Sequence, residues 1–308
     1  MQEDRMSSHY RYEYPRRLLL CALLLAFCSL SCSVPVDGSE LGTEGADVEP
    51  GSVTQEIANG TLTQKAGVVQ IIFQDGSICT GAMISPRAIL TAAHCPWPML
   101  NGSREGYLKA SVRYYDPEMN WFPGLSRWVT TLGEQDWFYA NVNEYFEYDS
   151  TGRRAYDFAV LNRFAGNFIN TSSIDYLRLG LGTCDQIDRN ELFGAGAYNT
   201  NLDVDNKLRS MPIDIYSCAS QLFYDLRGSR QPCHGDSGGP HINKAGPYDV
   251  IVGLHGGNTP GGNCSPSGAK QYAARMTEYK VDWIQERLWG GYSCAPYQSG
   301  GYYYRRCW

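Results

Sequence analysis

The stretch that decides the fold is Cys233-His234-Gly235-Asp236-Ser237-Gly238-Gly239-Pro240. It places a serine in a turn lined by glycines, which adopt backbone conformations that a Cβ forbids. The amides of Gly235 and Ser237 can therefore converge on one point, where an oxyanion would be stabilised. A serine hydroxyl is a poor nucleophile by itself, so catalysis would also need a neighbouring base. The plainer interpretation is a glycine-rich turn with an ordinary serine.

Two further motifs precede this stretch in a fixed order. The first is Thr91-Ala92-Ala93-His94-Cys95, and the second is Tyr156-Asp157-Phe158-Ala159-Val160-Leu161, an acid that leads an apolar strand. Taken alone, the histidine could be structural and the aspartate a turn residue. Together with the serine stretch, the three motifs resemble the active-site motifs of the chymotrypsin/trypsin-like serine proteases.

The resemblance, which covers about residues 57 to 289, implies both a fold and a chemistry. The fold would be all-β, with two packed antiparallel six-stranded β-barrels and a C-terminal helix. Ser237 would be the nucleophile, His94 its base and Asp157 the group that orients His94, with the Gly235 and Ser237 amides as the oxyanion hole. The implied partner is a protein or peptide substrate, the implied state is a monomer, and no cofactor or metal is needed.

Composition agrees with an all-β protein that does not bind nucleic acid. Charged residues make up 19% of the 308 residues and the formal net charge is −6, which argues against a polyanionic partner. Glycine (33) and tyrosine (22) are abundant, as in proteins with many turns and strands.

The N-terminus resembles an export signal. Arg11, Arg16 and Arg17 precede the apolar run 18–30, and small residues follow it. This run is too short to be a comfortable membrane anchor. We therefore expect a signal peptide over 1–32 and secretion of the protein. A defective lipoprotein box ends at Cys32, so a membrane contact through a lipid on that cysteine is the alternative.

An acidic segment without aromatic residues follows the signal and is interpreted as a linker or propeptide over 33–56. Next comes Ile57-Ala58-Asn59-Gly60-Thr61, which is similar to the mature start of the protease family. The resemblance implies that cleavage frees the Ile57 amine to pair with Asp236. A buried aspartate costs several kcal/mol unless a cation meets it, so the uncut chain should be nearly inactive. In the alternative, Asp236 caps a turn and Ile57 merely begins a strand.

The sequence contains 11 cysteines, of which Cys21, Cys28 and Cys32 belong to the signal or its edge. The other eight predict four disulfides in an exported protein, although sequence alone cannot fix their pairing. The resemblance implies Cys79 with Cys95 and Cys233 with Cys264; Cys184 with Cys218 and Cys294 with Cys307 then follow only by elimination. No Cys-x-x-Cys pair occurs, which argues against zinc.

The resemblance implies an N-terminal barrel over 57–165 and a C-terminal barrel with its helix over 166–290, and it leaves a tail over 291–308 outside the family pattern. Runs 68–73, 82–84 and 88–90 resemble a strand meander. Residues 114–148 are interpreted as insertions near the cleft or a cover on the barrel. The spacing of Val281, Ile284 and Leu288 predicts the helix, and Gly290-Gly291 ends it. The tyrosine-rich tail could form a hairpin stapled by Cys294 and Cys307.

Substrate preference depends on the residues of a specificity pocket. Six residues before Ser237, where trypsin-like members carry an acid, stands Gln231, which Pro232 follows, so preference for Lys or Arg is not expected. The string Gly253-Leu254-His255 resembles bacterial glutamyl endopeptidases, whose histidine contacts an acidic substrate side chain. Lys270 is a candidate for another pocket wall.

If the hydrogen-bond donor His255 and the cation Lys270 face one cavity, they would favour a substrate side chain with a carboxylate. Because the proposed activation bond follows Glu56, such an enzyme could mature itself. Two rival functions remain open: a catalytically weak protease homologue that binds a partner, and a lipid-anchored surface module.

Overall fold

The computed structural model describes residues 57–58, 60–115, 128–130, 136–147, 155–168, 176–181, 184, 190–196, 207–226, 230–243, 248–259, 264, 270–299 and 302–307. The expected signal peptide, with Cys32, and the propeptide lie outside these ranges, as does most of the expected insertion. Within them, strands dominate. In chain order they are β1 Thr61–Leu62, β2 Val68–Phe73, β3 Ile78–Ser85, β4 Ala88–Thr91, β5 Glu105–Tyr115, β6 Trp128–Thr130, β7 Asp136–Val142, β8 Ala159–Arg163, β9 Arg178–Gly180, β10 Asn190–Gly194, β11 Arg209–Cys218, β12 Gln221–Leu226, β13 Pro240–Asn243, β14 Val250–Thr259, β15 Lys270–Arg275, β16 Cys294–Ser299 and β17 Tyr302–Cys307.

Six strands of the first sheet close into a barrel. Their order is β2-β3-β4-β8-β7-β5, and β5 pairs back onto β2 with Ile71 opposite Val112. All pairs in this barrel are antiparallel, and β6 adds to β5 outside the ring. Alternate apolar side chains fill the interior, including Ile71, Met83 and Phe138. Closure leaves none of these six strands as a free edge.

Six strands of the second sheet close in the same way. Their order is β10-β11-β12-β15-β14-β13, and β13 pairs back onto β10 to complete the ring. The register shifts between His255 and Gly257, where β14 bends. The prediction of two antiparallel six-stranded barrels with a C-terminal helix is therefore confirmed. Runs 68–73 and 88–90 lie in β2 and β4, which confirms the meander.

The two barrels share a buried apolar cluster and several polar contacts. Val68 and Leu90 of the first barrel belong to the same buried cluster as Phe193 and Leu254 of the second. Gln70 Nε2 donates to Ala195 O at 2.6 Å. The junction of the barrels is thus fixed by both apolar burial and hydrogen bonds, and the candidate site lies there.

The single α-helix of the described residues, α1, spans Glu278–Glu286. Val281 and Ile284 are three residues apart and fully buried, as the spacing predicted. The helix ends at Glu286 with Arg287 as its C-cap, so Leu288, expected in the helix, lies beyond it. Gly290 and Gly291 follow with positive φ angles of 89° and 75° and do not themselves end the helix. No helix in the described part of the chain is long and apolar enough to span a membrane.

The C-terminal tail forms a hairpin of β16 and β17, closed by the Cys294–Cys307 disulfide. β17 pairs with β9, so the hairpin extends the second sheet at a strand outside the barrel ring. The tail therefore adds a sheet extension next to the second barrel. The structure also holds the disulfides Cys79–Cys95, Cys184–Cys218 and Cys233–Cys264.

Candidate active site

The stretch around Ser237 folds into two consecutive tight turns. Asp236 N donates to Cys233 O at 3.1 Å, and Gly239 N donates to Asp236 O at 2.9 Å. Gly235 and Gly238 have φ angles of 96° and 81°, a region that disfavours residues with a Cβ. A Cβ on Gly238 would also collide with Thr91 and with the Ala92 amide. The glycines are therefore required by both conformation and space.

The first barrel holds this loop through the strand β3. Thr80 N donates to Ser237 O at 2.8 Å, and Thr80 Oγ1 donates to Gly235 O at 2.9 Å. Cys95 Sγ lies 3.8 Å from the same Ser237 carbonyl oxygen. Since Cys95 directly follows His94, the main chain of Ser237 lies beside the loop that carries the histidine.

His94 and Asp157 are joined by side-chain and main-chain hydrogen bonds. His94 Nδ1 is 2.8 Å from Asp157 Oδ2, and the His94 amide donates to Asp157 Oδ1 at 3.0 Å. The carboxylate is buried, whereas about a quarter of the His94 side chain (26%) is exposed. With Nδ1 donating to the acid, Nε2 is the nitrogen free to accept a proton.

The charge of Asp157 decides the pKa of His94. Burial by itself would lower that pKa, but the carboxylate raises it above the ordinary value through its charge and its hydrogen bond. The imidazole therefore becomes a stronger base than a solvated histidine. That property suits a group that must take a proton from a serine.

The Asp157 carboxylate lies against β14. A Cβ on Gly256 would collide with the Tyr272 ring and approach Asp157 Oδ2 at 2.9 Å. Two main-chain hydrogen bonds, both 2.8 Å, join β14 to the serine loop: Gly238 N to His255 O, and His255 N to Gly239 O. One strand of the second barrel thus touches both the acid and the serine loop.

Asp236, the residue before the serine, is completely buried. Its Oδ1 accepts from Gly196 N at 2.9 Å and its Oδ2 accepts from Cys233 N at 2.7 Å. Burial raises the pKa of this carboxyl to about 7, against the two amide hydrogen bonds and the charge of Arg209, which lower it. Burial therefore opposes the ionisation of this carboxyl, whereas the two amides and the arginine favour it.

The Ile57 side chain is fully buried in the second barrel, in one cluster with Leu192, Met211 and Tyr224. Gln231 N donates to Ala58 O at 2.9 Å, so the following residue is also held. Ile57 has a φ angle of 30° while still linked to residue 56. A β-branched residue rarely adopts a positive φ, so the backbone of Ile57 is strained in the uncut chain.

The expected pocket residues lie in different places. Pro232 is buried and Gln231 half-buried next to Ala58. His255 is buried, and its Nδ1 is 2.7 Å from Tyr224 Oη. Lys270 is exposed at the start of β15, opposite Thr259, whereas His255 pairs with Ala273 three positions further along. Lys270 thus stands three positions along β15 from the residue opposite His255.

The interior behind His255 holds residues that the sequence analysis missed. His241 is fully buried, 4.7 Å from the Tyr224 ring and 6.4 Å from the His255 ring. Burial lowers the pKa of His255 to about 3 and that of His241 well below its usual value, so both rings are neutral. His241 directly follows the serine stretch, a signal that could have marked it. Tyr224 and Arg209 lie on strands without any such signal.

Three potential metal ligands also meet at this site. The ligand atoms of Cys79, His94 and Cys95 lie within 4.8 Å of one another. Both cysteines are joined in a disulfide, so neither offers a thiolate. The group does not fit a metal centre.

The two closed barrels, with the histidine loop and the serine loop at their junction, define a chymotrypsin-like fold. The sequence matches the trypsin family model over residues 57–108 and 195–284, segments that contain His94 and Ser237. None of the curated proteins matches the chain. The family match and the barrels together support a chymotrypsin/trypsin-like family and an enzyme of the serine protease type.

Proposed function

We propose that the protein is a secreted serine endopeptidase that hydrolyses peptide bonds through Ser237, His94 and Asp157. The observation that carries the proposal is the 2.8 Å contact between His94 Nδ1 and a buried Asp157 carboxylate, beside the loop of Ser237. The trypsin family match supports the same chemistry. The four disulfides fit an exported protein.

The proposed reaction begins with neutral His94. Its Nε2 takes the Ser237 proton while Oγ attacks the substrate carbonyl, and Asp157 stabilises the imidazolium that forms. His94 then returns the proton to the leaving amine, which gives an acyl-enzyme. Water repeats the two steps: His94 takes its proton, the ester bond breaks, and Ser237 regains its hydroxyl.

The negative oxygen formed during attack needs donors at a fixed place. The amides of Asp236, Gly238 and Gly239 already bond carbonyls of the site. The amides of Gly235 and Ser237, on either side of Asp236, are the proposed oxyanion donors. Loss of one such donor typically costs about 10²- to 10³-fold in turnover.

The proposed maturation step is cleavage before Ile57. The buried Ile57 side chain and the hydrogen bond of Ala58 to Gln231 support it, because residue 57 already occupies the interior of the second barrel. Cleavage would remove the peptide bond between residues 56 and 57, so the φ angle of Ile57 would no longer be restricted. The freed amine would then add a positive charge near Asp236.

For the substrate side chain next to the cleaved bond, we propose an acidic residue bound by His255. The ring is neutral, so it would act as a hydrogen-bond donor, with Tyr224 fixing its other nitrogen. A site built around such a donor rejects side chains that cannot accept the bond. We place Lys270 outside this pocket, because it pairs with Thr259 at the end of β14, whereas Ala273 is the residue opposite His255.

The test uses the secreted protein, whose N-terminus is first determined by sequencing. We expect it to start at Ile57 and to hydrolyse peptides, and Ser237→Ala to lose about a million-fold in kcat. Ser77→Ala, in the exposed turn after β2, is the control and should keep full activity. A protein that starts at Ile57 and hydrolyses no peptide would refute the proposal and favour a binding homologue.

A further inference from the structure

Asp236 needs a positive partner because its carboxylate has no access to solvent. The hydrogen bonds from Gly196 and Cys233 satisfy both oxygens but do not cancel the charge. An isolated buried carboxylate costs several kcal/mol and tends to take up a proton. A proton on Asp236 would give the carboxyl a donor where the structure shows two acceptors. The loop around it would then lose one of these bonds.

Arg209, the first residue of β11, is also buried, with 1% of its surface exposed. Its Cα pairs with that of Gly194 across β10 and β11. Residues opposite each other in an antiparallel pair project their side chains on the same face. A Cβ on Gly194 would collide with the Asp236 carboxylate, so this face is the one that carries Asp236. Arg209 therefore starts on the same side of the sheet as the buried acid.

The two side chains attract each other. Burial lowers the pKa of Arg209 to about 10, and the charge of Asp236 acts against that fall. The Arg209 charge in turn favours the ionised form of Asp236. Gly194 leaves room for the carboxylate, since any side chain there would displace it. Both the attraction between the charges and the room that Gly194 leaves are therefore suited to a buried ion pair of Arg209 and Asp236.

We propose that Arg209 is a positioning residue that balances the charge of Asp236 while residue 57 is still joined to residue 56. This rests on the proposed serine protease function. The serine loop of the uncut chain then keeps its bonds to Gly196 and Cys233 and reacts slowly but measurably. Cleavage before Ile57 adds a second positive charge to an acid that already has one. Cleavage therefore increases a reactivity that the uncut chain already has, and it does not have to build the serine loop from a disordered state.

The experiment uses the full chain with residues 52–56 changed to Asp-Asp-Asp-Asp-Lys, so that enteropeptidase produces the cut form on demand. The rate at which a fluorophosphonate probe modifies Ser237 is measured for both forms from pH 5 to 9. The variants are Arg209→Met and Arg209→Lys. Arg178→Met is the control, because Arg178 is also buried but stacks on Tyr248, 3.9 Å from its ring.

We expect the uncut chain to react, and Arg209→Met to slow it about fivefold at pH 7 and about tenfold near pH 5. Without the arginine charge the pKa of Asp236 rises, so the acid limb of the uncut form should move up by about one pH unit, equal to a tenfold change. The cut form should slow less, because the Ile57 amine replaces the lost charge. Arg209→Lys should restore most of the rate, and Arg178→Met should change neither form.

Two results would overturn the proposal: an unchanged ratio of cut to uncut rates in Arg209→Met, or an unreactive uncut chain beside a reactive cut one. If neither wild-type form reacts, the proposed function fails instead. In that case the ion pair of Arg209 and Asp236 is tested separately, by urea unfolding of Arg209→Met, Asp236→Asn and the double variant. Recovery of the midpoint in the double variant supports the pair, and additive losses refute it. This cycle also covers a single variant that folds poorly.

Discussion

His94 Nδ1 lies 2.8 Å from Asp157 Oδ2, although the two residues are 63 positions apart in the sequence. The same carboxylate also accepts from the His94 main-chain amide at 3.0 Å. Both the ring and the backbone of the histidine loop are therefore tied to one acid. A single residue fixes the position, the tautomer and the basicity of the imidazole.

The first prediction follows from the hydrogen bonds between His94 and Asp157. Asp157→Asn should keep the fold but present an amide to Nδ1, which favours the wrong tautomer, so kcat should fall about 10⁴-fold. Steady-state hydrolysis of a peptide substrate measures the effect. Asp282→Asn, an exposed acid on α1, should be silent. A loss below tenfold for Asp157→Asn would contradict the role given to the acid.

The pH dependence of the reaction provides a second prediction. The base must be neutral to act, and the Asp157 charge raises the pKa of His94 above 6.5. The acid limb of kcat/KM should therefore lie above pH 6.5, with activity lost as the pH falls through it. In Asp157→Asn the limb should move to lower pH. An acid limb well below 6.5 in the wild type would be inconsistent with this site.

Two disulfides offer a matched comparison as a third prediction. The cysteines of Cys79–Cys95 and of Cys294–Cys307 are 16 and 13 positions apart, so removing either disulfide should cost about 3 kcal/mol of stability. Only the first adjoins His94. Replacing its cysteines by alanine should also reduce kcat at least tenfold, whereas the tail variant should keep its turnover. Denaturant unfolding and peptide kinetics separate the two effects, and equal losses of turnover would contradict the comparison.

Much of this architecture could be predicted from short motifs. The run 68–73 and the spacing of Val281 and Ile284 predicted β2 and α1 because alternation and helical periodicity are local properties. The four disulfide pairs in the structure are those reached from the resemblance and by elimination. Local patterns thus predict strands and the helix, whereas the pairing of the cysteines was implied by the family resemblance and by elimination.

The residues around Asp236 and around the proposed substrate pocket could not be predicted in the same way. Arg209 begins a strand, where an arginine usually reaches solvent; its burial follows from the pairing with Gly194, a contact between distant segments. Lys270 was a candidate for another pocket wall; the register, which the sequence does not give, pairs it with Thr259, three positions along β15 from the residue opposite His255. Register and burial depend on closure of the barrel, which no local pattern encodes.

The proposed pocket gives a fourth prediction. The mature protein should prefer Glu over Arg, Phe or Ala before the cleaved bond. His255→Phe should lower kcat/KM for the Glu peptide at least tenfold more than for the Ala peptide, because it removes the donor. Lys270→Ala should change the ratio less than threefold, about 0.6 kcal/mol. A clear preference for Arg or Phe would end the proposal of an acidic substrate residue.

The most direct test of the central claim is to locate a fluorophosphonate adduct by mass spectrometry in the chain that begins at Ile57. We predict one adduct, on the Ser237 hydroxyl, formed at least a thousandfold more slowly in His94→Ala, since loss of the base leaves an unactivated serine. An adduct elsewhere, or equal labelling of wild type and His94→Ala, would contradict the assignment of Ser237 and His94 to one reacting pair.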